Sequence, residues 1–436
     1  MRLAALTLAL LVLAPGCALL GVRGQREQVA QMGRIRGTVR VEPAEESVLV
    51  VVLVRPQADP TAEPQIIDHF VLQRAGTFAF AVAPGTYRLA AFADRKDNLV
   101  YDPGEPALVG QASFELAAGQ MLDGVELVIP RDASLDQKID IRALQARTPK
   151  DQENFSLGRF TVRGQVVDLA DPKFGEPNGL MGMWRFVDFI FEVGPGVYFL
   201  EKYDPKKIPV LYVHGISGYP QQFTELIGAL DREHFQPWFY FYPSGFHLEG
   251  IGNHLAGVIG ELQAQLGFDE FAVVAHSMGG LVSRSFILKH YRQTGRDDIP
   301  LFVAISSPWG GSEGAENVGR APNGITVFSW LDMSPSSDFL RGLFHQAPDY
   351  QRPRSLPDHT AFHMIFGFNR RSRSWGPSGD RVLSVASMAR PEAVAAARSI
   401  LPLNDTHVGI LKDETAIARV NGLLAEVFEG AEPVTP

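Results

Sequence analysis

The stretch that decides the fold is Phe271-Ala272-Val273-Val274-Ala275-His276-Ser277-Met278-Gly279-Gly280-Leu281-Val282. An apolar run that leads through a His-Ser pair into two glycines predicts a buried strand turning directly into a helix. Ser277 falls on that turn, with Ala275 two positions before it and Gly279 two positions after it. Larger side chains at these two positions would collide with neighbouring backbone. The pattern therefore predicts a tight strand-to-helix turn that presents a serine.

Strands and helices alternate on both sides of this turn. We predict strands over 209–213, 237–241, 271–275 and 301–306, and helices over 220–230, 252–266 and 278–291. Such alternation requires crossover connections, which place helices on both faces of a parallel sheet. The fold class we predict is α/β, a doubly wound and mostly parallel sheet over residues 206–430, preceded by a small all-β sandwich.

Three polar residues follow the chain order of a Ser, Asp, His catalytic group. Ser277 is the candidate nucleophile, and His407 is the candidate general base because no histidine after His363 competes with it. The acid should fall between them, at the end of a late strand, where Asp380 stands in Gly379-Asp380-Arg381-Val382. A carboxylate there would orient the imidazole and stabilise the imidazolium. The competing carboxylates are Asp332, Asp338, Asp358 and Asp405.

A second apolar strand, Val210-Leu211-Tyr212-Val213, ends in the turn His214-Gly215-Ile216. Acyl transfer places negative charge on the former carbonyl oxygen, and fixed backbone N–H groups stabilise that charge. We expect the amides of Ile216 and Met278 to form this oxyanion hole. Ester chemistry of this kind requires no metal or organic cofactor.

Taken together, these motifs resemble lipases and the GPI-inositol-deacylase-like branch of the α/β-hydrolases, over residues 205–425. Ala304-Ile305-Ser306-Ser307-Pro308-Trp309-Gly310-Gly311 is similar to a strand-end turn of those lipases, and the Asp380 segment is similar to their acid loop. The resemblance implies a structural role for the His214 side chain. Two departures are Ala275, where the family has glycine, and Arg381, where it often has a small residue.

The N-terminus has the layout of an export signal. Arg2 precedes an apolar run, which is followed by Pro15-Gly16-Cys17, and Cys17 is the only cysteine in the chain. Residues 1–17 resemble a bacterial lipoprotein signal with lipidation at Cys17, and Ala18 is compatible with outer-membrane sorting on the periplasmic side. A plain secretory peptide is the alternative interpretation. We predict that residues 18–33 form a tether.

Residues 34–130 contain short alternating apolar runs separated by turns, a pattern typical of a β-sandwich. This region resembles transthyretin-like or carboxypeptidase-regulatory modules. One of its loops carries oxygen ligands at short spacing, which suggests a calcium site, and a polar turn is the alternative. The candidate calcium ligands are Asp94, Asp97, Asn98, Asp102 and Glu105.

Two further segments complete the predicted organisation. Residues 131–205 connect the two domains, and their apolar face at Leu180, Trp184, Val187 and Phe191 predicts a helix packed on the hydrolase domain. A lipid-facing or cleft-lining helix is the alternative. Residues 312–378 are predicted to form a cap-like insertion over the cleft, with a packed helical excursion as the other interpretation.

Composition bounds the function further. The formal net charge of −9 argues against nucleic acid as a partner. The function we expect is a lipase-like carboxylic ester hydrolase, anchored at the envelope membrane and acting on an acyl ester or lipid. An acyltransferase or thioesterase with the same three residues, and a non-catalytic envelope-binding lipoprotein, are the alternatives. The sequence gives no indication of the oligomeric state.

Overall fold

The computed structural model describes residues 15–57, 65–109, 112–135, 139–142, 155–312, 314–315, 326–368 and 379–428. Residues 1–14 of the predicted signal peptide lie outside this set. Among the described helices, none is both long enough and apolar enough to cross a bilayer.

The described strands and helices are numbered in chain order. The strands are β1 Gly33–Glu42, β2 Val48–Arg55, β3 Gln65–Leu72, β4 Gly76–Val82, β5 Gly85–Asp94, β6 Val100–Tyr101, β7 Ala107–Val109, β8 Phe114–Leu116, β9 Met121–Pro130, β10 Ile139–Asp140, β11 Val162–Val166, β12 Gly196–Phe199, β13 Ile208–Val213, β14 Phe235–Phe241, β15 Ala272–His276, β16 Leu301–Ile305, β17 Ala361–Gly367 and β18 Ser399–Leu403. The helices are α1 Pro15–Gln31, α2 Leu157–Phe160, α3 Glu176–Trp184, α4 Phe186–Glu192, α5 Thr224–Gly228, α6 Leu248–Leu266, α7 Met278–Thr294, α8 Phe328–Asp332, α9 Asp338–Phe344, α10 Val385–Met388, α11 Pro391–Ala396 and α12 Glu414–Phe428.

The largest sheet has eight strands in the order β11-β12-β14-β13-β15-β16-β17-β18. From β14 to β18 neighbouring strands are parallel, whereas β12 is antiparallel to β14. Helices α6 and α7 pack on one face, and α5 and α12 pack on the other. Because both faces are covered, the central strands are buried at every position, which explains their continuous apolar runs. The predicted α/β architecture is confirmed.

The segment 131–205 is more than a connection, so the predicted domain boundary at residue 206 is wrong. Its strands β11 and β12 are the first two strands of the large sheet. They were missed because they are only five and four residues long, too short for a periodic signal. The predicted helix is present as α3 and α4, which are separated at Arg185.

The predicted insertion 312–378 contains a core strand and is therefore shorter than expected. Strand β17 lies inside this interval and pairs in parallel with β16. His363 interrupts the apolar pattern of β17, but it is buried, with its Nδ1 2.7 Å from the Ser399 hydroxyl. The described part of the insertion proper, before β17, carries α8 and α9.

Two of the smaller sheets lie within residues 33–130, and a third, β6-β10, joins this region to residues 139–140. One is β4-β1-β9, and the other is β3-β2-β5-β7, with β8 also paired to β5. Strand β1 alternates buried and exposed positions along its length, as a strand with one covered face does. One apolar cluster joins the two sheets through Ile35, Phe78 and Phe80 on the first and Leu49, Val51 and Leu89 on the second.

Residues 18–33 do not form the tether that we predicted. Helix α1 covers most of this segment, and within it Val22 is fully buried. The segment is mixed in polarity because the helix turns only a narrow apolar face, centred on Val22, towards α4 and residue Val327.

Candidate active site

Ser277 stands between β15 and α7 in a strained backbone conformation. Its φ is 55° and its ψ is −131°, a region that residues with a side chain rarely occupy. The backbone tolerates this turn because Gly279 packs closely against β13. A Cβ at Gly279 would lie 2.4 Å from the Val213 carbonyl oxygen. The turn therefore projects Ser277 from the carboxyl edge of the sheet, as the sequence pattern predicts.

The predicted base and acid lie within hydrogen-bonding distance of each other and of the serine. His407 Nε2 is 2.8 Å from Ser277 Oγ, and His407 Nδ1 is 2.6 Å from Asp380 Oδ2. With a neutral imidazole, Nδ1–H donates to the carboxylate and Nε2 accepts from the serine hydroxyl. All three residues are buried, and Asp380 is fully so. A proton on the serine thus faces an acceptor whose tautomer is fixed by a carboxylate.

Asp380 remains charged although it is buried. Burial raises the pKa of its carboxyl, but the hydrogen bond from His407 and those from the amides of Leu383 and Val382 outweigh burial and hold the pKa below its usual value. The two amide nitrogens lie 2.8 and 3.0 Å from Oδ1. A backbone bond from the His407 amide to the Asp380 carbonyl, 3.0 Å long, ties the two loops together.

Three of the competing carboxylates have other partners. Asp332 lies 3.1 Å from His247 Nδ1 and accepts from the Leu248 amide at the start of α6. Asp338 pairs with Arg341. Asp405 accepts from the Thr406 amide.

The two turns expected to supply oxyanion donors are in contact. A Cβ at Gly215 would lie 2.6 Å from the Ser277 Cβ, so the turn that carries Ile216 packs directly against the serine. Met278 is the first residue of α7, where the amide has no acceptor within the helix. The positive end of the helix dipole adds to the attraction for negative charge at this point.

His214 is close to the serine but its ring is engaged with backbone. Its Nδ1–H donates to the Gly215 carbonyl over 2.7 Å, and its Nε2 accepts from the Tyr242 amide over 3.2 Å. The ring stacks on Tyr242 with 4.0 Å between centroids. Burial lowers the pKa of His214 to about 3, so it is neutral near pH 7. These contacts suit a side chain that supports the turn.

His276 was not singled out by the sequence. Its Nε2–H donates to the carbonyl oxygen of His407 over 2.7 Å, and the ring is almost fully buried. Burial lowers its pKa to about 3, so the ring is neutral and remains a donor near neutral pH. His276 therefore ties the loop that carries His407 to the turn that carries Ser277. Its position beside Ser277 gave a hint, but its acceptor lies 131 residues away and is visible only in three dimensions.

The predicted calcium loop is wrong in its geometry. Asp94 accepts from the amides of Leu99, Lys96 and Asn98, and Glu105 accepts from the amides of Arg95 and Asp102. These carboxylates shape the turn instead of facing a common point. Across the described ranges, no three His, Cys, Asp or Glu side chains converge as a metal site would require.

Parts of this chain are similar to known lipases and to one acyltransferase family. Residues 253–319, which include Ser277, match the family model of lecithin:cholesterol acyltransferase. The chain is similar to the mature Bacillus licheniformis lipase BlEst2, with 16% identity, a TM-score of 0.40, and coverage of 51% of this chain and 94% of that one. It is also similar to Aspergillus fumigatus lipase B, with 19% identity, a TM-score of 0.38, and coverage of 53% and 56%. No curated protein matches this chain.

Proposed function

We propose that this protein is a carboxylic ester hydrolase with Ser277 as nucleophile, His407 as general base and Asp380 as the orienting acid. The observation that carries the proposal is the continuous hydrogen-bond chain Asp380–His407–Ser277, with separations of 2.6 and 2.8 Å. A buried, charged carboxylate, a fixed imidazole and a strained serine turn are the parts that acyl transfer needs.

In the first half of the reaction, Ser277 Oγ attacks the ester carbonyl carbon while His407 Nε2 takes the hydroxyl proton. The carbonyl oxygen becomes an oxyanion, which the amides of Ile216 and Met278 stabilise. When the tetrahedral intermediate collapses, the bond to the leaving oxygen breaks and His407 donates its proton to that oxygen. An alcohol departs and an acyl-enzyme remains.

In the second half, water attacks the acyl-enzyme and gives its proton to His407. Collapse of the second intermediate returns that proton to Ser277 and releases a carboxylic acid. Throughout, Asp380 stays ionised and stabilises the imidazolium. Because the pKa of Asp380 is held low by His407 and two amides, the carboxylate keeps its charge across the working pH range.

A second candidate is acyl transfer to an alcohol acceptor. It is favoured by the match of residues 253–319 to the lecithin:cholesterol acyltransferase model, because that segment contains the nucleophile turn. The chemistry to the acyl-enzyme is the same in both cases. Only the acceptor, water or an alcohol, distinguishes them.

We extend the proposal to location and organisation. Lipidation of Cys17 would hold the protein at the periplasmic side of the outer membrane, where an acyl ester or a lipid is the expected substrate. Residues 34–130, with two sheets around one apolar cluster, are proposed to form a β-sandwich domain in front of the hydrolase domain.

The test is pre-steady-state hydrolysis of p-nitrophenyl acetate and p-nitrophenyl octanoate, with and without an added alcohol. We expect a burst of p-nitrophenol equal to the enzyme concentration, and loss of both burst and turnover in Ser277→Ala. Ser283→Ala is the matched control, because Ser283 lies on the same helix and its hydroxyl has no hydrogen-bond partner among the described residues. Turnover retained by Ser277→Ala would refute the proposal, and ester formation with the alcohol would favour acyl transfer.

A further inference from the structure

Helix α1 contains the proposed lipid attachment site, Cys17, in its first turn and is docked on the hydrolase domain. Its Val22 is fully buried against Met183, Phe186 and Val187. The carboxamide of Gln25, which is 6% exposed, accepts from the amide of Val187 over 2.6 Å and donates to Asp188 Oδ1 over 3.2 Å. A buried polar side chain whose hydrogen bonds are satisfied indicates that α1 docks in one specific position.

Gln25 also completes a helix that lacks a cap of its own. Arg185 stands at the N-cap of α4 but makes no side-chain hydrogen bond to the first turn. The first amides of a helix need acceptors from outside the helix, and Gln25 supplies one to Val187 and, over 3.3 Å, to Asp188. The stability of α4 therefore depends in part on α1 being docked.

The same helix holds the insertion that precedes β17. The Arg26 guanidinium donates to the Thr326 carbonyl over 3.3 Å and lies over the Phe328 ring, 4.8 Å from its centroid. Val327, between these two residues, is fully buried in the cluster that contains Val22. Helix α1 thus joins α4 to the start of α8.

The elements that α1 joins, which are α4 and the start of α8, adjoin the turn that carries the expected oxyanion donor and form what we call the wall of the cleft in front of Ser277. Ile216, the expected oxyanion donor, packs on the cluster around Val22, as do Trp184 and Trp330. Helix α3 contacts the oxyanion turn, because a Cβ at Gly179 would lie 2.5 Å from the Ser217 carbonyl oxygen. Displacing α1 would therefore loosen one side of the cleft.

Exposed apolar side chains occur on α3 and in the loops that carry the proposed acid and base. Leu180 on α3 is 44% exposed, Val382 in the acid loop is 65% exposed, and Val408 beside the base is 44% exposed. Trp184 and Trp330, half-buried and packed edge to face, lie on the same wall as α1. Half-buried tryptophans with exposed aliphatic residues are features of surfaces that meet the headgroup region of a bilayer.

The helical conformation of α1 limits how far a lipid on Cys17 can lie from the docked residues of the helix. Cys17 precedes Val22 by five residues, so at a helical rise of about 1.5 Å per residue it lies only about 7.5 Å along the axis from the docked contact. A lipid on Cys17 would enter the membrane close to the cleft wall. A flexible tether would place no such limit on the cleft.

We propose that α1 is a docking strap that holds the mouth of the cleft against the bilayer carrying the anchor, so that the enzyme draws acyl esters from the surface of that membrane. This inference rests on the proposed function, including lipidation of Cys17. The partner is a lipid bilayer, recognised through the anchor and the apolar residues at the mouth of the cleft.

The test uses the full-length lipidated protein in vesicles of phosphatidylethanolamine and phosphatidylglycerol that contain umbelliferyl palmitate. Two changes undo the strap in different ways. Gln25→Ala removes the cap of α4. A Gly-Ser insert of about ten residues between Leu20 and Gly21 interrupts α1 before its docking residues, so the part from Gly21 onward stays docked while the anchor gains a reach of about 18 Å. Arg23→Ala is the control on the same helix, because Arg23 is exposed and, within the described part of the chain, pairs only with Glu27.

We expect both changes to lower hydrolysis of the ester in the same vesicle at least about fivefold, because orientation at the membrane is lost. Hydrolysis of soluble p-nitrophenyl acetate should stay within about twofold for the insertion variant, since its catalytic groups are untouched. Arg23→Ala should match the wild type in both assays. The insertion variant also covers the case in which Gln25→Ala fails to fold.

Equal vesicle activity of the wild type and the insertion variant would overturn the strap proposal while leaving the hydrolase proposal intact. Retention of membrane attachment by Cys17→Ala would also overturn it, because the anchor would then lie elsewhere. Absence of p-nitrophenyl acetate hydrolysis in the folded wild type would be a failure of the proposed function itself, and the strap proposal would fall with it.

Discussion

Helix α7 has a histidine–aspartate pair near each of its ends, and the two pairs differ in what surrounds them. Near its first residue, His407 Nδ1 lies 2.6 Å from Asp380 and its Nε2 faces Ser277. Near its last turn, His290 Nε2 lies 2.9 Å from Asp298. Both pairs are buried. A buried His–Asp contact is therefore not sufficient evidence of catalysis in this molecule.

The difference lies in the third partner. Asp298 also accepts from Arg296, at 2.8 Å, and from Gln263, at 2.6 Å, and these donors with His290 lower its pKa to about 2 against the effect of burial. The other ring nitrogen of His290 has no hydrogen-bond partner among the described residues. Asp380 instead accepts from His407 and two backbone amides, and His407 reaches a serine. We infer that the His290–Asp298 pair is structural and that the His407–Asp380 pair is catalytic.

The largest contrast is expected from removing each histidine. His407→Ala should lower kcat for p-nitrophenyl acetate by about 10⁵-fold to 10⁶-fold, because the serine loses its proton acceptor. His290→Ala should leave kcat within about threefold, since no reacting atom is near it. Steady-state kinetics on both purified variants makes the comparison, and a similar loss in both would end the distinction between the pairs.

The next contrast comes from neutralising each carboxylate. Asp380→Asn should lower kcat by about 10⁴-fold with little change in stability, because the imidazole takes the wrong tautomer. Asp298→Asn should keep kcat but lower the free energy of unfolding by about 3 kcal/mol, as expected when a buried ion pair loses one partner. Kinetics and urea unfolding of both variants are needed. Loss of activity in Asp298→Asn without loss of stability would contradict this assignment.

A smaller effect is expected at His276, which positions the base. His276→Leu should lower kcat about tenfold, about the loss of one buried hydrogen bond, and leave KM unchanged. His276→Gln, which retains an N–H donor, should recover part of that loss. If both variants keep wild-type kcat, the bond from His276 to the His407 carbonyl has no role in positioning the base.

The smallest effect concerns acid stability. Burial lowers the pKa of His214 and of His276 to about 3, so below pH 6.5 the unfolded chain binds protons that the folded one does not. Stability should therefore fall as the pH drops below 6.5, by about 1.4 kcal/mol for each of these histidines at pH 5.5. Urea unfolding at pH 7.5 and 5.5 measures the difference. His276→Leu should reduce it, and an unchanged difference would show that His276 is not buried neutral.

The elements that could be predicted from the sequence are those whose conformation depends on residues close together in the chain. The apolar strand before Ser277 and the glycine after it predict β15, the turn and the start of α7 without reference to the rest of the chain. The chain order Ser, Asp, His follows from the path of the chain through such a sheet, and this order predicts Ser277, Asp380 and His407. The structure brings these three residues within hydrogen-bonding distance.

The missed features depend on distant contacts. Strand β17 contains His363, whose buried ring is acceptable only because Ser399 meets it. Strands β11 and β12 are too short to show a period, and pairing with each other and with β14 defines them. The sequence of helix α1 predicts a tether because its buried face consists of few residues. The residues of α4 that contact this face lie more than 150 positions away in the chain. The supposed calcium loop failed because its carboxylates bind their own backbone.

Labelling of the purified protein with a fluorophosphonate, followed by mass spectrometry of the labelled peptide, tests the assignment of Ser277 most directly. We expect one phosphonylated residue, Ser277, with labelling absent in Ser277→Ala, strongly reduced in His407→Ala and unchanged in His290→Ala. Labelling of a serine other than Ser277 in the wild type, or equal loss in the His407 and His290 variants, would contradict this assignment.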